Sequence, residues 1–500
     1  MRIVSDAPCR LPHPRRWSYL LSLIVVGWGC EVPRSLPEAR AEAPGTPSVA
    51  AAEWAPASGI GHSITADSVQ GLVMFRGNAT RSYYGRGPVP SNPRILWRVP
   101  GRAMCATSWV NREPREWCGT GWTGQPSVIE RGGRTEVIVG AYDRQVHFLD
   151  AATGAPLRPS LSVGDIIKGS VTVDPDGYPL VYSGSRDGNF RIIAIDRPRP
   201  TTVWSLPASS APRPMWNDDW DGNAVVLRDH LFEGGENGWF YIVRLNRRYD
   251  ASGLVQVDPT IVFLAPGFDD EQLRALGDRD VSIENSVVLF GNRAYIGNSG
   301  GLISGFDLTH LVTDPSRVTR TFRFWGGDDI NATMVVDERG MLYVGAEDQR
   351  SNARMREMGQ LYSLDPSRPE HPVRWKRTVP RGSDFGGVYA TPALYGSLLL
   401  VPTNAGVLLA VDRDSGAERW RLSLGWHAWS SPVVVDSTLI VADCQGRIQA
   451  FDMRQPNATP PLRWAVTIPS RACIESTPAL WRGRLYVGAR DGFFYALGDG

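Results

Sequence analysis

The sequence predicts an all-β fold: a single eight-bladed β-propeller of four-stranded antiparallel blades. Three observations carry this expectation. Residues 388–422 hold four short apolar runs, at 391–394, 398–401, 407–411 and 420–422. Ala405-Gly406 and Ser415-Gly416 fall between them, at points where tight hairpin connections need positive φ. The pattern is then written again in 430–452 and 476–498, and a period of about forty to fifty residues with four strands per unit is that of a propeller blade. Finally, the spacing from the glycine-like end of the second run to the closing Asp-like position is ten residues in five of eight repeats. It is twelve in the second and third, and twenty in the fifth, where 349–358 is inserted.

In chain order, the eight first runs begin near Gln125, Ser170, Asn223, Asn285, Thr333, Thr391, Ser430 and Ser476. The last repeat ends at Gly498 to Gly500 without an outer strand of its own. The run 94–99, Arg-Ile-Leu-Trp-Arg-Val, is expected to supply it and close the ring, removing the exposed sheet edges. Asp150, Asp196, Asp307, Asp365, Asp412 and Asp452 recur at one repeat position and are expected to cap the turn that follows. Trp204, Trp375, Trp420 and Trp464 recur on outer strands and are expected to pack between blades. The polar stretch Phe75-Arg-Gly-Asn78-Ala-Thr-Arg81-Ser-Tyr-Tyr84 reads as a surface strap.

The run Ala410-Val-Asp412-Arg-Asp-Ser-Gly416-Ala-Glu-Arg-Trp420 resembles the AxDxxTGxxxW tryptophan-docking motif of the pyrroloquinoline-quinone (PQQ) type propeller repeat. The resemblance covers most of the chain. It implies the fold, and it implies either of two functions: a quinoprotein dehydrogenase, or a cofactor-free scaffold like the lipoprotein propeller of outer-membrane protein assembly.

Residues 1–30 have the features of an export signal. Arg15-Arg16 precede the apolar run 19–26, which is too short to span a bilayer. Cys30 follows directly, where a bacterial lipoprotein carries its lipidated cysteine, although Gly27 and Trp28 depart from that pattern; cleavage and release, or a retained anchor, are the alternatives. Residues 31–60, rich in Pro, Ala, Glu and Ser, read as a flexible tether ahead of a propeller at 61–500. Past the signal, the remaining cysteines are Cys105, Cys118, Cys444 and Cys473, an even number that suits two disulfides in an exported protein. Pairing Cys105 with Cys118 would staple the Trp-rich insert 101–124 and contribute about 3 kcal/mol in the chain-entropy model. Cys444 would pair with Cys473 across neighbouring repeats, and sequence alone allows other pairings. With 53 Lys plus Arg against 52 Asp plus Glu, nothing favours nucleic acid or an anionic membrane surface. A periplasmic or outer-membrane location is expected, with secretion as the second choice, in a monomer held to the membrane by its lipid alone.

Function is expected on the loops that lead into the first strand of each blade. Carboxylates, amides and aromatics gather there, as at a small-molecule or cation site. The resemblance gives the quinone reading its residues. Trp122, Lys168, Glu284, Asn285, Asn331, Tyr389, Trp429 and Glu475 would surround PQQ; Lys168 would face its carboxylates, Trp122 or Trp429 would floor it, and Asp329 would serve as general base. Asp219, Asp221 and Glu284 are the candidate calcium ligands, Asp218 to Asp221 being the densest acidic run. Against this reading stand the absence of a vicinal Cys-Cys, of CxxCH and of the long insertions of the large dehydrogenases. No nucleophile elbow or phosphate loop is present either. The reading preferred on sequence is a non-catalytic scaffold for an envelope protein or small ligand, with no cofactor; the alternative is a PQQ- and calcium-dependent alcohol or sugar dehydrogenase.

Overall fold

The second and third strands of each repeat are nearly all apolar because both faces of a blade are covered by its neighbours. Leu398–Pro402 and Val407–Asp412 are typical, with every residue of the first and four of six in the second buried. The computed structural model describes residues 53–64, 69–110, 113–121, 124–382 and 386–500. The signal, Cys30, Trp122 and all of the tether before residue 53 lie outside them. No helix among the described residues is long and apolar enough to cross a membrane.

Eight antiparallel sheets follow one another in chain order. Blade 6 is representative: Ala393–Tyr395 inside, then Leu398–Pro402, Val407–Asp412, and Glu418–Ser423 outside. In blade 8, Ala479–Trp481, Arg484–Gly488 and Phe494–Gly498 are completed by Arg94–Val99, which pairs antiparallel to Phe494–Gly498. The ring is therefore closed by joining the beginning of the propeller to its end. Asp499 completes the joint by accepting from the backbone N–H of Ser91 and Asn92 at 2.9 and 2.7 Å. It stands in for the turn that continuous chain forms elsewhere.

That turn explains the recurring Asp and Trp. Asp412 Oδ1 accepts from the N–H of Ser415 at 2.9 Å, and Asp150 Oδ1 from that of Thr153 at 2.9 Å. Trp375 of the preceding blade lays its ring on this turn and donates Nε1–H to the Arg413 carbonyl at 2.8 Å; Trp97 does the same to Ala151 at 3.2 Å, across the closure. Gly416 sits at φ +70° and a Cβ there would come within 2.6 Å of the Trp375 ring, so both the turn and the docked indole require glycine. A register shift sits between the third and fourth strands next to the residue paired with Trp375, Trp420 and Trp464. Such a bulge re-aims the strand that carries the ring.

Residues 71–86 do not form a surface strap. Gly71–Leu72 pairs with blade 1 and Gly85–Arg86 with blade 8, and the segment between them fills the central channel. Arg76 donates through Nη2 to the carbonyls of Thr391 (blade 6) and Pro432 (blade 7), each at 2.8 Å. Arg81 donates to the side chain and carbonyl of Asn223 (blade 3) at 2.8 and 2.6 Å and to Val287 O (blade 4) at 3.0 Å. Both guanidinium groups are fully buried. The strap reading failed because two arginines look solvated in a sequence, whereas the inner strands of a ring present a circle of carbonyls at their channel ends. A fork of five N–H donors satisfies several of those at once.

The expected tether also ends earlier than position 60. Trp54 is buried, donates Nε1–H to Leu308 O at 3.2 Å, and lies edge-on to His230 and Phe232, while Ala55 bridges to Gly291. One tryptophan is enough apolar surface to fasten this stretch to blades 3 and 4.

Candidate functional site

The channel is plugged from within, so one end of the ring is a blind mouth. Two loop sets build it. The loops from an outer strand to the next inner strand bring Lys168, Asp219, Asp221, Glu284, Asp329, Asn331, Tyr389, Trp429 and Glu475. The hairpins between second and third strands bring Tyr142, Arg186, Glu236, Glu347, Gln349, Asn404 and Arg490. The sequence reading took only the first set. The second was nevertheless legible, because Tyr142, Arg186, Glu236, Glu347, Asn404 and Arg490 each stand two residues after the glycine-like end of a second strand.

Blades 2 and 3 hold a closed ion cluster. Lys168 Nζ contacts Asp221 Oδ2, lies 3.3 Å from Asp219 Oδ2 and 3.2 Å from Glu236 Oε1, and Arg186 Nε lies 3.1 Å from Asp219 Oδ2. Burial alone would lower the ammonium's pKa, but Asp221, Glu236 and Asp219 together hold it well above the ordinary lysine value. Burial and the neighbouring Glu236 push Asp219 up to about 7, whereas the hold of Lys168 overcomes burial at Glu236 and keeps it below its usual value. The carboxylates that converge here are Asp219, Asp221 and Glu236; Glu284, expected as the third ligand, is not among them, and Asp218 is exposed. The cation at their centre is the Lys168 ammonium.

Blades 4 to 6 form a different sector. Glu284 accepts from Ser282 Oγ at 2.9 Å. Asn331 Nδ2 and Gln349 Nε2 each donate to Glu347 at 2.7 Å, and Gln349 also reaches Asp329 Oδ2 at 3.1 Å. Among the described residues, no lysine or arginine nitrogen comes within 4.0 Å of a carboxylate oxygen of Glu284, Asp329 or Glu347; Arg350, the nearest guanidinium in sequence, is turned to Asp280 at 3.1 Å and Asp278 at 3.4 Å. Burial followed by the charge of its neighbours raises each carboxyl: Glu284 to about 7 beside Glu236, and Asp329 well above the carboxylate range beside Glu347 and Glu284. Burial raises Glu347 to about 8 against the hydrogen bonds it accepts. Next to this sector Tyr389, Trp429 and His427 form a wall of rings: Tyr389 and Trp429 have centroids 5.7 Å apart, and His427 stacks on Trp429 at 5.7 Å. Trp429 Nε1 donates to Asn404 Oδ1 at 2.7 Å.

Other expected residues have structural work. The Asn285 carboxamide is spent on backbone, donating to Gly297 O at 3.0 Å and Ile330 O at 2.6 Å and accepting from Gly297 N–H at 3.2 Å. Glu475 lies 3.5 Å from Arg490, whose guanidinium covers the Trp117 and Tyr142 rings. Both disulfides, Cys105–Cys118 and Cys444–Cys473, are present. The first joins Cys105–Val110 to Glu113–Cys118 in a two-stranded ribbon standing beside the mouth, tied to the blade 1–2 loop by Ser108 Oγ to Asp165 at 3.0 Å. The ribbon, the blade 2–3 loop and the blade 6–7 loop carry Trp109, Trp216 and Trp426, which are 61%, 53% and 48% exposed.

These residues do not fit PQQ, a tricarboxylate. Its expected anchor Lys168 is shared by three carboxylates, and the Asn285 carboxamide is spent on backbone.

The fold and the docking motif are those of a β-propeller whose repeats are similar to the PQQ-like type. Residues 357–459 match the family model described as outer membrane protein assembly factor BamB. Among solved structures the chain resembles BamB from Moraxella catarrhalis, with a TM-score of 0.50 and 14% identity over 81% of this chain and 98% of that one. It also resembles the computationally designed Ika8 protein, with a TM-score of 0.50 and 13% identity over 76% of this chain and 98% of that one. At these identities the likeness is one of fold. No curated protein sequence matches the chain.

Proposed function

We propose that this propeller is an exported, non-catalytic interaction scaffold of the bacterial cell envelope, and that its partner protein docks on the mouth face. One observation carries the reading: Trp109, Trp216 and Trp426, three of the most exposed large apolar side chains, all stand on loops leading from an outer strand to an inner strand. Those loops share one face of the ring. Exposed indoles with an apolar body and a polar edge are characteristic anchors of protein interfaces. The disulfide-stapled ribbon presents Trp109 on stiffened backbone, which lowers the ordering cost of docking. Similarity to BamB, an outer membrane protein assembly factor, supports the scaffold class and the envelope. The two disulfides suit an oxidising compartment.

The test is site-specific photo-crosslinking in intact cells. A photoreactive residue at 109, 216 or 426 should capture a defined partner band. The same residue at Val312 or Leu462, exposed at 67% and 49% on other surfaces, should not. Equal capture from both sets, or from neither, would sink the proposal. A calorimetric titration with PQQ, with and without calcium, addresses the dehydrogenase directly, and heat that Glu284→Gln removes would replace the scaffold reading with it.

A further inference from the structure

The mouth face is aromatic at its crown and acidic within, and the acidity is uneven. On the blade 2–3 side the three converging carboxylates Asp219, Asp221 and Glu236 have Lys168 or Arg186 against them. On the blade 4–6 side, among the described residues, no lysine or arginine nitrogen lies within 4.0 Å of Glu284, Asp329 or Glu347; Lys168 and Arg350 act on Glu284 and Asp329 only from farther off, and Arg350 is held by Asp278, Asp280 and, at 3.8 Å, Asp328. The unsatisfied atoms there have one character. Asp329 Oδ1 and Asn331 Oδ1 accept no hydrogen bond, though Asp329 is only 3% exposed. Both are acceptors, so what the sector lacks is a donor, and the charge around it asks for a positive one. Glu284, Asn331, Tyr389, His427 and Trp429 are half-buried and form the accessible surface of the sector. Rings flanking a carboxylate set favour an ammonium or guanidinium, which gains from the ring face as well as from the charge.

We propose that this sector receives a lysine or arginine side chain on an extended basic segment of the partner protein, its charged head at Glu284 and Asn331 in front of Asp329 and Glu347. The Tyr389, His427 and Trp429 rings flank the stem, and exposed Trp426 covers the neighbouring residues of the segment. The inference rests on the interaction reading above and gives that partner its chemistry. A small anionic ligand, or a partner held by apolar contact alone, would leave the three carboxylates as they are.

Arrival of a cation favours the ionised carboxylates, so binding must expel protons wherever the free sector still holds them. With Glu284 near 7 and Glu347 near 8, affinity should rise with pH across neutrality. The experiment uses the full mature chain and a fluorescent hexa-arginine peptide, read by anisotropy at low salt, with hexa-glutamate as control. Binding should tighten about tenfold between roughly pH 6 and pH 8.5. Glu284→Gln combined with Asp329→Asn should weaken it about tenfold and flatten the pH profile. Glu284→Lys, which places a cation in the sector permanently, should also abolish it while leaving the melting temperature unchanged or higher. Glu370→Gln, on an exposed loop at the opposite face, should change nothing. A flat pH profile in the wild type, equal loss in Glu370→Gln, or peptide binding that survives Glu284→Lys would each overturn the inference. If crosslinking from Trp109, Trp216 and Trp426 persists while the peptide fails these tests, the scaffold stands and only its basic partner segment falls.

Discussion

Replacing Glu347 with glutamine should remove a pH dependence of stability that this buried acid imposes. Glu347 is fully buried and accepts from Asn331 and Gln349 at 2.7 Å each, and among the described residues no lysine or arginine nitrogen lies within 4.0 Å of it. Its pKa rises from 4.5 to about 8 because burial penalises the anion. Between those values the folded protein holds a proton that the unfolded chain has lost. Stability must therefore fall as pH rises through this window, and the fall is complete above the folded value. At about 1.4 kcal/mol per unit of pKa, the rise caps the loss at roughly 5 kcal/mol. Glu284 and Asp329 share the titration, so a loss of about half that belongs to this one group. Glutamine never ionises, but it replaces one accepting oxygen with an NH₂ that faces the Asn331 or the Gln349 amide donor, costing about 1 kcal/mol. The variant should be the less stable protein near pH 5 and the more stable one by about 1.5 kcal/mol near pH 9. Urea unfolding followed by tryptophan fluorescence at five pH values gives both curves. Parallel curves that never cross would refute the claim that Glu347 is buried as an uncompensated acid.

Three further outcomes follow from the same geometry. Lys168→Ala leaves Asp219, Asp221 and Glu236 without their central ammonium and should cost about 3–5 kcal/mol; because those oxygens converge, millimolar calcium should restore a large part of it, read as a rise in melting temperature absent from the wild type. Arg81→Leu removes the guanidinium that holds Asn223 and Val287 and strips the fully buried Glu233, at about 8, of its nearby positive charge. It should lower stability by about 3–5 kcal/mol and speed hydrogen exchange in residues 71–86, whereas exchange unchanged in that segment would show that the plug is held by something else. Gly416→Ala meets both a positive φ and the Trp375 ring at 2.6 Å, and should cost about 2 kcal/mol, more than the roughly 1 kcal/mol of an alanine at a left-handed position alone; thermal denaturation of this variant beside one at Gly396, where φ is +56° and nothing lies within 4 Å, separates the two contributions.

The blades were legible because their cause is local and repeated. A run such as Leu398–Pro402, a turn with Asp412 and Gly416, and a docking Trp420 each depend on neighbours a few residues away or one repeat away. The closing strand was legible for the same reason, as the one outer strand missing from eight. What the sequence hid depends on the ring being closed. Arg76 and Arg81 find their acceptors in blades 3, 4, 6 and 7, up to 356 residues distant, and no local pattern marks a polar segment as the filling of a channel. Lys168 was picked out correctly as a mouth residue, but its partner Glu236 sits on a hairpin 68 residues on, so a cation already in use looked like one available to a ligand.

The mouth's imbalance of charge also has its origin in the chain's one large departure from the repeat. The insertion in blade 5 ends in the helix Ala353–Met358, capped by Asn352 accepting from Met355 N–H, and it carries Gln349 and Arg350 to the rim. Gln349 turns inward and bridges Asp329 and Glu347 with a neutral amide. Arg350, one residue later, faces the other way and is captured by Asp278 and Asp280 from the loop before blade 4. The insertion thus brings a positive charge near the three carboxylates, where it acts on Asp329, while its nitrogens pair with Asp278 and Asp280. A scaffold gains specificity from such an arrangement, because a site whose charge is satisfied from within has no preference among partners, and one left acidic selects for a basic residue and against an acidic one.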